Sequence, residues 1–257
     1  MSSITVTGLA VAPVKAMRLQ LVPVVELDEF GAVGDRRFYV VDERGRMVNG
    51  KHFAQLQTIV ADYDPTSREL ALTFPDGGVA RGPVEPGQTV TARFYRRTEE
   101  VPELRGPWSD AVSEFVGHPL RVVAASTGVD RGRAGATSLI SRASLRRLAE
   151  AAGCESVDGR RFRMLIEIDG VGPHEEDGWV GRRLRVGEAR VRMCGHVGRC
   201  LITSRDPDSA RADLPTLNLL RAYRGDEDAT EPLPFGVYGE VLEAGTVRVG
   251  DAVGLDE

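Results

Sequence analysis

Short apolar-rich runs separated by turn residues dominate the first hundred positions. ITVTGLAVAP, MRLQLVPVVEL, RRFYVVD, LQTIVADYD, RELALTF and QTVTARFY are rich in Val, Ile, Thr, Leu and aromatics, side chains that suit a pleated, half-buried surface. DERGR, DPTSRE, PDGG and EPGQ supply turn chemistry between them. The stretch GPVEPG, Gly82 to Gly87, reads as a loop. Helical spacing shows in three places. PWSDAVSEFVG starts at Pro107 and Ser109, stops at Gly117, and aligns Ala111, Val112 and Phe115. SRASLRRLAEAAG carries Leu145, Leu148 and Ala152 at helical spacing, with Ser141 or Ser144 as N-cap and Gly153 beyond its end. LPTLNLLRAYRG is a third, shorter helix ended by Gly225. The strand pattern returns in FRMLIEID, RRLRVGEARVRM, CLITSRD and FGVYGEVLEAGTVRVGDAV, where EAG reads as a hairpin turn. The expectation is a mainly β chain of the α+β class. It divides into a β-barrel-like domain over 1–105 and a second β-barrel domain with two or three short helices over 106–257. The boundary falls between Pro86 and Thr127.

Composition narrows the functional classes. With 257 residues the chain is long enough to bury a core without staples. Its net charge of -5 argues against a general nucleic-acid binder, which needs a basic face. No window reaches the ~18 uninterrupted apolar residues of a membrane span, and the N-terminus lacks a basic segment before an apolar one, so no signal peptide is read. Three cysteines, Cys154, Cys194 and Cys200, make no disulfide framework and point to a reducing cytoplasm. The 33 basic residues include only two lysines, Lys15 and Lys51. In so arginine-biased a chain, Lys15 within APVKAM stands out.

MCGHVGRC, residues 193 to 200, concentrates the candidate chemistry. Cys200 follows Arg199, and a neighbouring cation favours the thiolate that attacks electrophiles and binds metals. C-x-H-x₃-C also offers Cys194, His196 and Cys200 as zinc ligands, although no second ligand pair accompanies them. The third reading is a small buried hydrophobe beside Leu201 and Ile202, and strand alternation, which turns Arg199 and Cys200 to opposite faces, favours it. His196 reads as a loop histidine.

Three other stretches offer cations to an anion: GDRRF with Arg36 and Arg37, APVKAM with Lys15, and FRM with Arg163. A guanidinium forks onto phosphate through two parallel hydrogen bonds. For any single one of these residues, a surface ion pair with one of the 38 acidic residues is the stronger reading. HEEDGWVG, His174 to Gly181, reads as a solvated acidic loop, since consecutive carboxylates cannot all face one point. Phosphate-loop, dinucleotide and nucleophile-elbow motifs are absent.

Taken in order, these segments resemble a known family. VAPVKAM, GDRRFYVVDERGRMV, SLISRASLRRL, RFR, EEDGWVGRRLRVGEARV, GRCLITSRDPDS, TLNLLRAYR, LPFGVYGEV and AGTVRVGDAV span nearly the whole chain. Their pattern is similar to MOSC-domain proteins with an N-terminal β-barrel domain, the group that includes amidoxime-reducing components and hydroxylaminopurine-resistance proteins. The resemblance implies a molybdenum cofactor (molybdopterin) between the two β domains, with Cys200 as the metal ligand. It also implies that Arg199 and Tyr238 lie near the cofactor and that Lys15, Arg36, Thr137, Ser138 and Arg163 grip its phosphate and pterin. A thiolate is a suitable soft ligand for such a metal. The chain departs from the family pattern at Ala16, where serine is usual, and at Met164 and Leu165, where F-R-P-N becomes F-R-M-L. The C-x-R-C spacing is stretched, so Cys194 has no family counterpart. Lost polar contacts of this kind cost about 1 to 3 kcal/mol each when their partners stay buried.

The leading functional expectation is a molybdenum-cofactor-binding oxidoreductase that reduces N-hydroxylated small molecules. With no ferredoxin-type cysteine run, its electrons are expected from a separate iron–sulfur or flavin protein. Nucleic acid and membrane are not expected partners. Two alternatives stand beside it. One is a sulfur carrier or sulfurtransferase that uses a Cys200 persulfide. The other is a non-catalytic module for a pterin or another anionic ligand, the cofactor lost or replaced, which Ala16 and Leu165 favour.

Overall fold

The computed structural model describes residues 3–94, 97–125 and 131–256. Tyr95, which ends the QTVTARFY run, and Thr127, the upper limit of the expected boundary, lie outside the described residues. Among those described are nineteen strands, three α-helices and five short 3₁₀ turns, a mainly β fold.

The helices form where apolar spacing and caps coincide. Helix α1, Trp108–Val116, buries Trp108, Val112 and Val116 along one stripe, and Gly117 closes it with φ 76°. In α2, Arg142–Ala152, the Ser141 hydroxyl accepts the Ser144 N–H, and Gly153 ends the helix at φ 67°. Helix α3, Thr216–Arg224, buries Thr216, Leu220 and Arg224.

An eight-stranded sheet carries most of the C-terminal strands. Its order is Val253–Asp256, Arg183–Val186, Ala189–Gly198, Pro234–Glu243, Thr137–Ser141, Ile166–Asp169, Thr5–Val11 and Gln20–Val22. Helix α2 connects the parallel pair Thr137–Ser141 and Ile166–Asp169, because a parallel pairing needs a long crossover. The sheet stays open, yet its ends are tied. Thr5 bridges Ala252, and the Gly250 and Val253 N–H groups donate to the Val6 and Ile4 carbonyls at 2.8 and 2.9 Å. A five-stranded sheet orders Glu85–Phe94, Arg97–Arg105, Leu120–Ala124, Phe38–Asp42 and Met47–Val48. Two three-stranded sheets complete the fold.

Spatial grouping does not follow chain order. Thr5–Val11 pairs with Ile166–Asp169, and Val24–Asp28 pairs with Gly245–Arg248. Leu120–Ala124 runs antiparallel to Phe38–Asp42. The cores match these pairings. One packs Val14, Phe38, Leu70, Trp108 and Val122, and another packs Val6, Leu9, Val25, Ile168 and Val253.

Several local expectations are corrected. GPVEPG is strand on either side of Val84, within Val79–Pro83 and Glu85–Phe94. CLITSRD holds a 3₁₀ turn, Leu201–Ser204, not a strand. After EAG the chain makes no hairpin, since Gly245–Arg248 leaves the preceding strand and pairs with Val24–Asp28. Cys194 and His196 lie within the strand Ala189–Gly198, not in a loop. No helix among the described residues is long and apolar enough to cross a membrane.

Trp108 is fully buried, and its indole N–H donates to the Leu70 carbonyl at 3.1 Å. Trp108→Ala therefore removes a large side chain and orphans a buried acceptor. Urea unfolding should show a loss of about 3 to 5 kcal/mol, and a loss under 1 kcal/mol would contradict this packing.

Candidate functional site

A cleft of about 210 Å³ brings together Lys15, Arg36, Ser138, Arg163, Cys200 and Tyr238. Thr137 and Arg199 do not line it.

The cationic wall is laced by backbone hydrogen bonds. Lys15 N–H donates to the Phe38 carbonyl at 2.8 Å and Arg36 N–H to the Ala12 carbonyl at 2.9 Å. Asp35 accepts the Ala12 N–H at 2.6 Å and pairs with the Arg36 guanidinium, whose Nη2 also donates to the Arg163 carbonyl at 2.9 Å. Three non-glycine residues of this wall have left-handed backbone: Ala16 at φ 75°, Arg36 at 47° and Arg163 at 54°. Such conformations cost energy and persist only where the surroundings enforce them, which is common at functional sites. Arg163 is thus the cap of the 3₁₀ turn Gly159–Phe162, not part of a strand.

Sheet register places the opposite wall. Ser138 stands beside Tyr238 on neighbouring strands. The Ser138 hydroxyl accepts the Leu165 N–H at 3.0 Å, while the Leu165 side chain joins the core. Met164, by contrast, lines the cleft. Gly236 of the F-G-x-Y segment has φ 83°, and a Cβ there would come within 2.8 Å of the Leu139 carbonyl oxygen and 2.9 Å of the Met164 methyl. Only glycine suits that position. Arg131 stacks 4.5 Å above the Tyr238 ring and forks onto Glu231 at 2.7 and 2.8 Å.

Cys200 is a free, half-buried thiol. Its carbonyl accepts the Thr203 N–H and hydroxyl at 3.1 and 3.0 Å, which fixes the start of the turn that follows. The preceding Arg199 points elsewhere. Its guanidinium donates to the Phe162 carbonyl at 2.8 Å and to the Phe235 carbonyl through both Nε and Nη2, and it touches the Met164 sulfur at 3.0 Å. Burial pulls its pKa down to about 9, opposed by the charge of Cys200, so the group stays a cation at neutral pH.

Cys194, His196 and Cys200 do not converge as a ligand set. The His196 Nδ1 faces the Thr230 hydroxyl at 3.3 Å, and the Thr230 N–H lies 3.2 Å from the same nitrogen. Among the described residues no three His, Cys, Asp or Glu side chains group for a metal. Sequence reasoning passed over Lys51, Asp35 and Arg131 as cleft residues. For Lys51 the rarity of lysine was a usable signal. The other two had none, because their places depend on distant pairings. The cleft now shows Lys15, Arg36, Lys51, Arg131 and Arg163 against one carboxylate, Asp35, a balance that selects anions.

Comparison with known proteins assigns the family. The MOSC domain profile matches residues 126–254, and the MOSC N-terminal beta barrel domain profile matches residues 3–119. The chain belongs to the MOSC-domain family. Mitochondrial amidoxime-reducing component 1 of Mus musculus is 34% identical over 105 residues, which cover 38% of this chain and 30% of that protein. The matched stretch is thus under a third of that relative's length. Mitochondrial amidoxime-reducing component 1 of Xenopus laevis is 25% identical over 96% of this chain and 81% of its own. The solved YUAD protein from Bacillus subtilis aligns over 98% of this chain and 94% of its own, with 14% identity and a TM-score of 0.47.

The HEEDGWVG segment of this MOSC protein is not a solvated acidic loop. Glu176 is fully buried and accepts the Ser141 N–H at 3.0 Å and the Ser144 hydroxyl at 2.7 Å, and burial raises its pKa. Asp177 pairs with the buried Arg224 at 2.5 Å, and burial still raises its pKa. The His174 ring sits 5.8 Å from Tyr223 and 5.7 Å from Phe235, and both of its nitrogens are buried with no hydrogen-bond partner among the described residues. Burial, with Arg224 and Arg147 adding to it, lowers its pKa to about 4.

The sign of the pH effect follows. Between pH 6.5 and about 4 the unfolded chain protonates this histidine and the folded one resists, so its contribution to stability falls as pH drops through that window. Glu176 and Asp177, with raised pKa values, act in the opposite direction. Comparison with His174→Asn, which keeps a side chain tolerant of φ 61°, isolates the histidine. Wild type should lose more stability than the variant between pH 6.5 and 4 in denaturant titrations. A constant difference across that range would refute it.

Proposed function

We propose that this MOSC protein is a molybdenum-cofactor-dependent reductase of N-hydroxylated small molecules. In this reading Cys200 is the metal's protein ligand, and Lys15, Arg36, Thr137, Ser138 and Arg163 hold the phosphate and pterin. The observation that carries it is the meeting of one free thiol with an excess of cations in a single cleft. The names of the amidoxime-reducing relatives support the substrate class.

The residues present suit such a group. A cysteine sulfur is a soft ligand appropriate to a thiophilic metal, and Lys15 and Arg163 match an anionic phosphate. The Thr137 hydroxyl is buried without a partner among the described residues, although Thr137 itself, next to Ser138 on the strand, does not line the cleft. When bound, the cofactor supplies the two-electron redox chemistry. The chain's own residues bind and orient. Ser138 keeps its hydroxyl proton available for donation while it accepts from Leu165. Arg199 holds the segment before Cys200 against the Phe162 and Phe235 carbonyls. Each N–O bond cleaved takes two electrons and two protons and yields N–H and water, and the electrons come from a separate iron–sulfur or flavin protein.

Met164 on the wall and Leu165 in the core put no amide at the position where the family pattern has one. They favour a second reading, a cleft kept for a different anionic ligand. Elemental analysis separates the two. Protein from a cofactor-competent host should carry near-stoichiometric molybdenum, Cys200→Ser should lose most of it, and wild type should reduce an aromatic amidoxime with a chemical donor. Metal-free wild type would overturn the reductase reading, and added sulfur on Cys200 would then point to a persulfide carrier.

A further inference from the structure

We propose that Lys51 recognises a negatively charged substituent on the substrate, so that the protein prefers anionic N-hydroxylated compounds. This rests on the reductase reading and extends it from reaction type to substrate class.

The cleft has an inner and an outer ring. Lys15, Arg36, Arg163 and Cys200 are half-buried, whereas Lys51, Arg131 and Phe30 are exposed at the rim. Two of the cations are already matched. Asp35 pairs with Arg36, and Glu231 holds Arg131 through two oxygens. The Lys51 ammonium has no ion-pair or hydrogen-bond partner among the described residues. The rim's unmatched charge is therefore Lys51, and Asp35, whose side chain is 8% exposed, is too enclosed to offset it.

The backbone that carries Lys51 is held against the thiol's own turn. The Lys51 N–H donates to the Asn49 side-chain oxygen at 2.9 Å. A Cβ on Gly50 would lie 2.7 Å from the Ile202 Cδ1, so the loop packs without a side chain against a residue two positions beyond Cys200. The ammonium, on a flexible stem, thus belongs to the approach to Cys200. Both lysines of the chain line this one cleft, against a background of arginine elsewhere. A lysine is a compact, mobile point charge that follows an anion over a range of positions, where arginine's planar fork demands fixed geometry. That property suits a substrate that must enter, react and leave. Phe30, 40% exposed with the Arg133 guanidinium 5.6 Å from its ring centre, adds an aromatic surface to the same rim.

The test compares three aromatic amidoximes on the purified holoprotein: benzamidoxime, its 4-carboxy derivative and its 4-aminomethyl derivative. Wild type should favour the carboxylate. Lys51→Ala should lower the kcat/KM ratio of carboxylate to neutral substrate about fivefold, the range of one exposed ion pair. Lys51→Glu should lower it further and raise the relative rate with the cationic substrate, a charge-matched response that a structural role would not produce. Unchanged ratios in both variants would overturn the proposal. A binding arm keeps the two claims separable. Calorimetric titration with 4-carboxybenzamide and benzamide, which have no N–O bond, should show the carboxylate's Kd rising about fivefold in Lys51→Ala and the neutral amide's rising less. Equal shifts would count against Lys51 even if no amidoxime were reduced, and a selective shift would sustain it even then.

Discussion

A half-buried guanidinium organises the site from beneath. Arg199 is partly withdrawn from solvent, and a cation so placed is costly unless its donors are met. They are met by the Phe162 and Phe235 carbonyls and the Met164 sulfur. Those partners immediately precede Arg163, lie on the cleft wall, or share the strand that carries Tyr238. Satisfying one charge therefore ties two segments to the one that carries Arg199, with Cys200 as the next residue. The same demand explains why Arg199 is directed inward and not into the cleft.

The rest of the cleft depends on strands exchanged between the ends of the chain. The wall that carries Lys15 and Arg36 follows the strand Thr5–Val11, which is paired to Ile166–Asp169 within the C-terminal sheet. The five-stranded sheet meanwhile anchors Phe38, whose carbonyl holds the Lys15 N–H. That wall depends on pairing to sequence far along the chain at both of these strands. Left-handed backbone at Ala16, Arg36 and Arg163 costs of order 1 to 3 kcal/mol at each residue. The hydrogen bonds of Arg36 N–H to Ala12 and Arg163 N–H to Arg160 help to hold it.

Beyond the cleft, the same interior tolerates a second buried polar group. Glu176 caps the start of α2 through Ser141 and Ser144, and Arg224 joins Asp177 to the Pro234 carbonyl at 2.9 Å. Arg224 and Arg199 therefore grip adjacent backbone carbonyls, Pro234 and Phe235, from different elements. The strand bearing Tyr238 starts between these two cations.

What the sequence determined by itself was local. Apolar spacing and caps placed all three helices, because a stripe at helical period and a Ser or Gly at its ends depend on near neighbours alone. Alternating Val, Ile and Thr marked most strands for the same reason. The ordered motifs named the family, and the candidate residues Lys15, Arg36, Ser138, Arg163, Cys200 and Tyr238 do share one cleft. Partner choice was beyond that reach. LIT after Cys200 has the composition of a strand but folds as a turn, since no neighbouring strand receives it. The strand after EAG reads as half a hairpin, but Val24–Asp28 offers it a better pairing. Glu176 looks solvated until Ser141 and Ser144 enclose it, and only the packing of Gly50 against Ile202 puts the exposed Lys51 at the cleft rim. Tertiary structure decided these, because long-range pairing and burial, not local propensity, set where a polar side chain can satisfy its charge.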